Sequence, residues 1–227
     1  MKISEIFFSI QGEGILAGVP SVFVRTSGCN LRCTWCDTPY TSWSPEGTEL
    51  SIDQILARVR QHGAHHVVVT GGEPMIAPEI VTLTEHLKAQ GQHITIETAG
   101  TVSVPVTCDL MSISPKLSNS TPVEREAGRW AAQHDRLRYQ PEVLRHLIKT
   151  YQYQLKFVVT SAQDLSEVES ILSDLNADRD RVLLMPEGTD AETIRNRSLE
   201  LVEICKQTGF RFSPRLHIDL WGNRRGV

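Results

Sequence analysis

Six short runs rich in β-branched and apolar residues recur along the chain, and helical periodicity fills most of the gaps between them. Ser21–Arg25, His66–Thr70, Ile94–Thr98, Asp109–Ile113, Gln154–Thr160 and Arg181–Met185 read as strands. The unbroken run His66–Thr70 suits a strand covered on both faces. Ser51 and Gln54 have capping-box spacing, after which Ile52, Ile55, Leu56 and Val59 recur at helical intervals. A second helix is expected from about Pro78 to Gln90 along Ile80, Leu83 and Leu87, stopped at Gly91. A third follows Ser161 and Asp164, burying Leu165, Val168, Leu172 and Leu175. A fourth runs from about Ala191 to Thr208 and stops at Gly209. Alternating strands and helices call for a parallel sheet with right-handed crossovers. The expected fold is therefore α/β: a partial, open β/α barrel of about six parallel strands with helices outside, too short of elements to close eightfold.

The 227 residues fit one domain, 1–227, without repeats or low-complexity linkers. The polar stretch Asn119–Gln140 reads as an insertion or mobile loop with short helical pieces. Hydrophobic residues at 40% and charged residues at 22% suit a soluble globular chain. A net charge of −4 and a pI near 6.1 argue against nucleic-acid binding, and Arg224-Arg225 is too small a basic pair to change that. No apolar stretch approaches the roughly 20 residues that span a bilayer, and the N-terminus lacks a signal-peptide core. Five cysteines are neither dense nor even, so disulfides are not expected, and free thiols point to the cytoplasm.

Cys29, Cys33 and Cys36 form a C-x3-C-x2-C run directly after the first expected strand. This spacing lets three thiolates converge on one inorganic centre. A 4Fe–4S cube takes one ligand per iron, usually from four thiolates, so three would leave one iron open. An open coordination position separates a reactive metal site from a structural one. Structural zinc is the rival, and it needs a fourth ligand such as Cys108, Cys205 or a histidine. Cys205 shares an apolar helical stripe with Ile194, Leu201 and Val202 and reads as buried, while Cys108 begins a strand-like run and reads as core. On the cysteines alone, both readings stand. Other unusual motifs also follow strands, where parallel barrels bind ligands: Thr70–Pro74, Glu97–Thr101, Ser114-Pro115-Lys116 and Met185-Pro186-Glu187-Gly188.

Gly71-Gly72-Glu73-Pro74 lets backbone approach a ligand closely and offers carbonyls to a cationic group. Together with the cysteine run, it resembles the radical S-adenosylmethionine (SAM) superfamily, whose GGEP motif lines the amino group of SAM. The resemblance implies a 4Fe–4S cluster on Cys29, Cys33 and Cys36 with SAM on the fourth iron, and leaves Cys108 and Cys205 out. Further motifs resemble the 7-carboxy-7-deazaguanine synthase family, which serves queuosine and 7-deazapurine biosynthesis. They are Phe8-Ser9-Ile10-Gln11-Gly12-Glu13-Gly14, Arg25, Cys36-Asp37-Thr38, Ile96-Glu97-Thr98, Ser114-Pro115-Lys116, and Lys156 within Leu155–Val159. This likeness covers most of the chain and is weakest across Asn119–Gln140.

The resemblance implies that a reduced cluster splits SAM to methionine and a 5′-deoxyadenosyl radical. That radical takes a hydrogen from C6 of 6-carboxy-5,6,7,8-tetrahydropterin. The ring contracts, ammonia leaves and the radical is regenerated, so SAM acts catalytically. A homodimer, Mg²⁺ and an electron donor such as flavodoxin are implied as well. Thr38 is the implied Mg²⁺ ligand, a hard oxygen for a hard cation. Gln11 and the backbone of Ile10–Gly12 can read the pterin edge, with Gly14 closing the motif. Glu13 can accept from its amino group or sit in an ion pair. Arg25 offers bidentate donors to a carboxylate, the alternative being a surface ion pair. Thr70 is an implied substrate contact. The implied SAM contacts are Trp35, Cys36, Asp37, Gly72, Glu73, Thr98, Ser114, Pro115 and Lys116. Glu97, Lys156, Met185 and Glu187 are further candidates, the first two with an internal ion pair as the alternative.

His62, His65 and His66 fall at a helix end and a strand start away from the rim and read as structural. The aromatic, glycine-rich tail Trp221–Val227 is expected to fold over the pocket or a dimer partner. Two other functions remain open on sequence: another radical SAM enzyme such as a glycyl-radical activase, or a non-catalytic zinc or iron–sulfur module.

Overall fold

A computed structural model describes residues 1–227. In chain order the strands are β1 (Lys2–Ile10), β2 (Pro20–Thr26), β3 (Thr48–Glu49), β4 (His66–Gly71), β5 (His93–Thr98), β6 (Leu110–Ile113), β7 (Tyr153–Val159), β8 (Val182–Pro186) and β9 (Arg211–Phe212). The helices are α1 (Pro39–Ser42), α2 (Ile52–His62), α3 (Ile80–Ala89), α4 (Ala131–Arg138), α5 (Pro141–Thr150), α6 (Leu165–Leu175), α7 (Ala191–Thr208) and α8 (Leu216–Trp221). One sheet orders its strands β3-β1-β2-β4-β5-β6-β7-β8-β9 and leaves both edges open. From β2 to β9 all neighbours are parallel, whereas β1 runs antiparallel to both β2 and β3.

All six expected strands are present, and the open α/β architecture holds. The parallel run holds the six expected strands and the two-residue β9, while β1 and β3 add an antiparallel edge and bring the sheet to nine strands. The α2 capping box forms as read: the Ser51 amide donates to Gln54 Oε1 at 2.9 Å, and the Gln54 amide to Ser51 Oγ at 3.3 Å. Ser161 and Asp164 cap a 3-10 turn that leads into α6, rather than capping the α-helix itself. On α7, Ile194, Leu201 and Cys205 are buried as expected, but Val202 is 37% exposed and leaves the apolar stripe.

Alternation along the strands separates core from cavity. In β7, Leu155, Phe157 and Val159 join the main apolar cluster, while Lys156 and Val158 face the cavity. In β2, Val22 and Val24 point to the core, and Phe23 and Arg25 to the cavity. The cluster fills the space between the sheet and Ile55, Leu83, Leu87, Leu144, Leu147, Val168 and Leu172 of the helices. Each such fully buried aliphatic side chain contributes about 1.5–3 kcal/mol relative to exposure. A smaller cluster, Leu31, Cys33 and Ala99 with Trp35 and Leu137 against it, lies under the cysteine loop.

The stretch 119–140, expected as a loop with helical pieces, carries 3-10 turns and α4 and lies against the cysteine loop. Thr34 N–H donates to the Ser120 carbonyl at 2.8 Å, and Trp35 Nε1 to the Asn119 carbonyl at 3.1 Å.

Candidate active site

One cavity of about 230 Å³ opens over the C-terminal ends of β2 and β4 to β8. Cys29, Cys33 and Cys36 all line it. Leu31 N–H donates to Cys29 Sγ at 3.4 Å, and Cys36 Sγ lies 3.2 Å from Ser42 Oγ. Burial pushes the Cys29 thiol up to about 12 and raises that of Cys33 as well. A bound metal reverses that trend, because a coordinated thiol is deprotonated. Cys205 belongs to the main core cluster and half-buried Cys108 packs against it, both away from this loop.

The glycine turn after β4 is pressed against the cysteine loop. A Cβ on Gly72 would lie 2.0 Å from the Gly28 carbonyl oxygen and 2.8 Å from Cys29 Cβ. Glu73 N–H donates to that same carbonyl at 2.9 Å. Only glycine permits such an approach, so the two motifs form one cradle. Three thiols on one cavity wall and this cradle fit a cluster with one open iron.

Three expected contacts stand off the cavity. Glu73 is fully buried, and its carboxylate accepts from Met75 N (3.1 Å), Thr98 Oγ1 (2.8 Å) and Ala99 N (2.9 Å). Burial raises its carboxyl pKa, those bonds pulling against it. Glu73 therefore braces the glycine turn against β5 and does not line the cavity. Pro115 is buried behind the lining, and Gly14 packs on Gln154 while its amide donates to Ser213 Oγ at 2.9 Å.

The other candidates all line the cavity. Gln11 Nε2 donates to Glu97 Oε1 at 3.0 Å, and Thr70 Oγ1 donates to Glu97 Oε2 at 2.8 Å. Lys116 Nζ donates to the Ser114 carbonyl and hydroxyl, both at 2.8 Å, and sits 6.0 Å from the Trp35 ring centroid. Arg25 Nε lies 2.8 Å from Glu5 Oε1, an ion pair between two largely buried side chains rather than a surface pair, and Arg25 still lines the cavity. Thr38 precedes α1, its hydroxyl 3.5 Å from Thr41 Oγ1 and 3.8 Å from Cys36 Sγ. Ile10, Gly12 and Met185 contribute surface, and Glu187 also pairs with Arg197.

Two acids and two bases lock together at one wall. Glu13 pairs with Lys156 and, at 3.2 Å, with Arg215 Nε, while Arg215 also donates to Asp37 and the Gly188 carbonyl. Burial alone would raise the Glu13 carboxyl, but Lys156, Arg215 and His217 hold it well below the usual carboxylate range. Burial likewise opposes charge on Asp37, and Arg215 overrides it, so that carboxyl is lowered too. Burial works against the cations, yet Glu13 with Glu97 raises Lys156, and Asp37 with Glu13 raises Arg215.

Arg215, His217 and Tyr40 also line the cavity and were not among the expected residues, while Asn223 and Arg224 of the tail line it too. Arg215 had a signal: Ser213-Pro214-Arg215 after β9 repeats the Ser-Pro-cation pattern of Ser114-Pro115-Lys116 after β6. His217 occupies the space a Cβ on Gly12 would need, 2.1 Å from its Nδ1.

The open parallel sheet and the three-cysteine loop at its rim define a radical SAM protein, and residues 23–114 match the model described as the Radical SAM superfamily. The chain is 45% identical to the 7-carboxy-7-deazaguanine synthase of Halobacterium salinarum, covering 98% of this chain and 91% of the relative. It is 47% identical to that of Rhodopirellula baltica, covering 100% and 89%. The chain belongs to the 7-carboxy-7-deazaguanine synthase family. The crystal structure of QueE from Escherichia coli superposes with a TM-score of 0.70 at 28% identity, covering 95% of this chain and 94% of that one. As a radical SAM family member, the protein uses a 4Fe–4S cluster and SAM. No helix is long and apolar enough to cross a membrane.

Proposed function

We propose that this chain converts 6-carboxy-5,6,7,8-tetrahydropterin to 7-carboxy-7-deazaguanine with loss of ammonia, using SAM catalytically. One observation carries the reading: the three thiols, the glycine turn and the Gln11–Glu97–Lys156 wall line a single cavity. When bound, the cluster and SAM supply hydrogen-atom abstraction from carbon, which side chains do not perform.

Cys29, Cys33 and Cys36 would hold the cluster. The backbone at Gly72, with Trp35, Asp37, Thr98, Ser114 and Lys116, would hold SAM. Gln11 and Thr70 each occupy one oxygen of Glu97, and each oxygen keeps a second acceptor site for the N–H donors of the pterin edge. Arg25 pairs with Glu5 through charge alone, its Nε making no hydrogen bond there, and keeps its guanidinium donors for the substrate carboxylate. Glu13 keeps Lys156 and Arg215 charged and fixed beside the ring. Thr38 would offer its hydroxyl oxygen to a hard cation such as Mg²⁺. Homodimer assembly and reduction by a donor such as flavodoxin carry over from the family resemblance.

The test is anaerobic reconstitution followed by addition of SAM, reductant, Mg²⁺ and the carboxytetrahydropterin. The expected product is the deazapurine, identified by mass. SAM cleavage without a ring-contracted product would overturn the substrate assignment.

A further inference from the structure

His134, on α4, is 1% exposed and is the one buried residue of that helix. It lies outside the cavity lining. Both ring nitrogens are engaged: Nδ1 accepts the Arg32 backbone N–H at 3.1 Å, and Nε2 stands 2.9 Å from Ser120 Oγ. Ser120 Oγ donates its one proton to the Leu117 carbonyl at 2.6 Å, so it accepts from Nε2–H. That fixes the neutral tautomer whose Nδ1 is free to accept from Arg32. Burial pushes the ring's pKa down to about 4, consistent with this neutral state. The Ser120 carbonyl takes a second loop amide, Thr34 N–H, at 2.8 Å. The two amides flanking Cys33 are thus both bonded to the 119–140 cover.

We propose that His134 is a positioning residue for the iron–sulfur cluster, clamping the backbone on either side of Cys33 together with Ser120 so that Cys33 keeps its place on the cavity wall with Cys29 and Cys36. The inference rests on the cluster being held by Cys29, Cys33 and Cys36. Without the clamp, the Arg32 amide would be released, and the loop would pay the entropy of ordering at each cluster assembly. An amide held by His134 is also unavailable to cluster sulfur, where N–H bonds tune the potential.

Two substitutions separate the clamp from ordinary packing. His134→Asn places an amide oxygen near the Nδ1 position and keeps the Arg32 bond. His134→Gln reaches the Nε2 position and keeps only the Ser120 side. After anaerobic reconstitution, His134→Asn should retain wild-type iron and sulfide and the wild-type reduced-cluster EPR signal. His134→Gln should lose cluster affinity by about tenfold, as outer-shell substitutions do at other metal sites, and should change that signal. Equal loss in both variants, or full retention in both, would overturn the proposal. Should neither variant fold, hydrogen exchange on the metal-free wild-type protein decides. The Arg32 amide should be protected on the order of tenfold or more over an unstructured amide, and free exchange there refutes the clamp. A wild-type protein that takes up no iron would sink the cluster assignment instead.

Discussion

Arg215 donates to Asp37 across 178 residues of sequence, tying the turn after β9 to the residue that follows Cys36. The same guanidinium reaches Glu13 and the Gly188 carbonyl, and it is only 4% exposed. Two carboxylates, Glu13 and Asp37, therefore balance two cations, Lys156 and Arg215, at the wall of the cavity. Removing one member of such a set leaves a buried charge without compensation, which costs about 3–5 kcal/mol.

Arg215→Gln should accordingly lower the stability of the metal-free protein by about 3 kcal/mol in chemical denaturation. Arg215→Lys should recover part of that loss, since it restores the charge without the fork that spans three acceptors. A denaturation midpoint unchanged in Arg215→Gln would show that the network is not holding the turn.

The Glu13 carboxyl is depressed in the folded state, so its stabilising contribution is present above the unfolded pKa of about 4.3. That contribution is lost as pH falls through the lower folded value. Wild-type stability should therefore decline on acidification below about pH 4.3, and Glu13→Gln should flatten this limb while lowering stability at neutral pH. Parallel pH profiles for the two proteins would contradict the assignment.

Gly72→Ala should abolish cluster uptake, because a Cβ 2.0 Å from a backbone carbonyl cannot be relieved by rotating a side chain. The glycine turn must instead pull away from Cys29. Iron analysis after reconstitution measures this, and wild-type iron content in the variant would show that the two loops can separate without loss.

Thr38→Ala should weaken the dependence of turnover on added Mg²⁺ while leaving iron content intact, since the hydroxyl lies beside Cys36 but is not a cluster ligand. A Mg²⁺ titration of initial rates reads the effect, and identical curves would discredit Thr38 as the ligand.

The sequence revealed the parallel sheet because its strands are short apolar runs set between stretches of helical periodicity. It concealed β1 for a specific reason. The register slips between Ile3 and Glu5, and this bulge breaks the period-2 alternation that would mark a strand. The strands β3 and β9 are two residues each, too short for any period. The helix α5 was legible but not expected: Pro141 at its start and Val143, Leu144, Leu147 and Ile148 at helical spacing carry its signature. At the site, the motifs near Cys29–Thr38 and Gly71–Gly72 could be read locally. Glu73 could not, because its orientation is set by Thr98 and Ala99, which only the fold brings together.

The tail supplies the remaining wall. Asn223, Arg224 and Val227 line the cavity, which favours the pocket over the dimer partner as the tail's expected place. It is fastened from outside: Arg225 stacks 3.8 Å from the Tyr40 ring centroid and bonds Glu46 at 3.1 Å. Those contacts are half-exposed, and such pairs contribute about 0–1 kcal/mol. Deleting Asn223–Val227 should therefore leave the denaturation midpoint nearly unchanged. Substrate should nonetheless bind less well, because solvent then reaches a side of the cavity that the strap covers. A KM raised several-fold with iron content intact is the expected result. Unchanged KM and turnover would place the strap outside the binding site, whereas a collapse in stability would make it part of the fold.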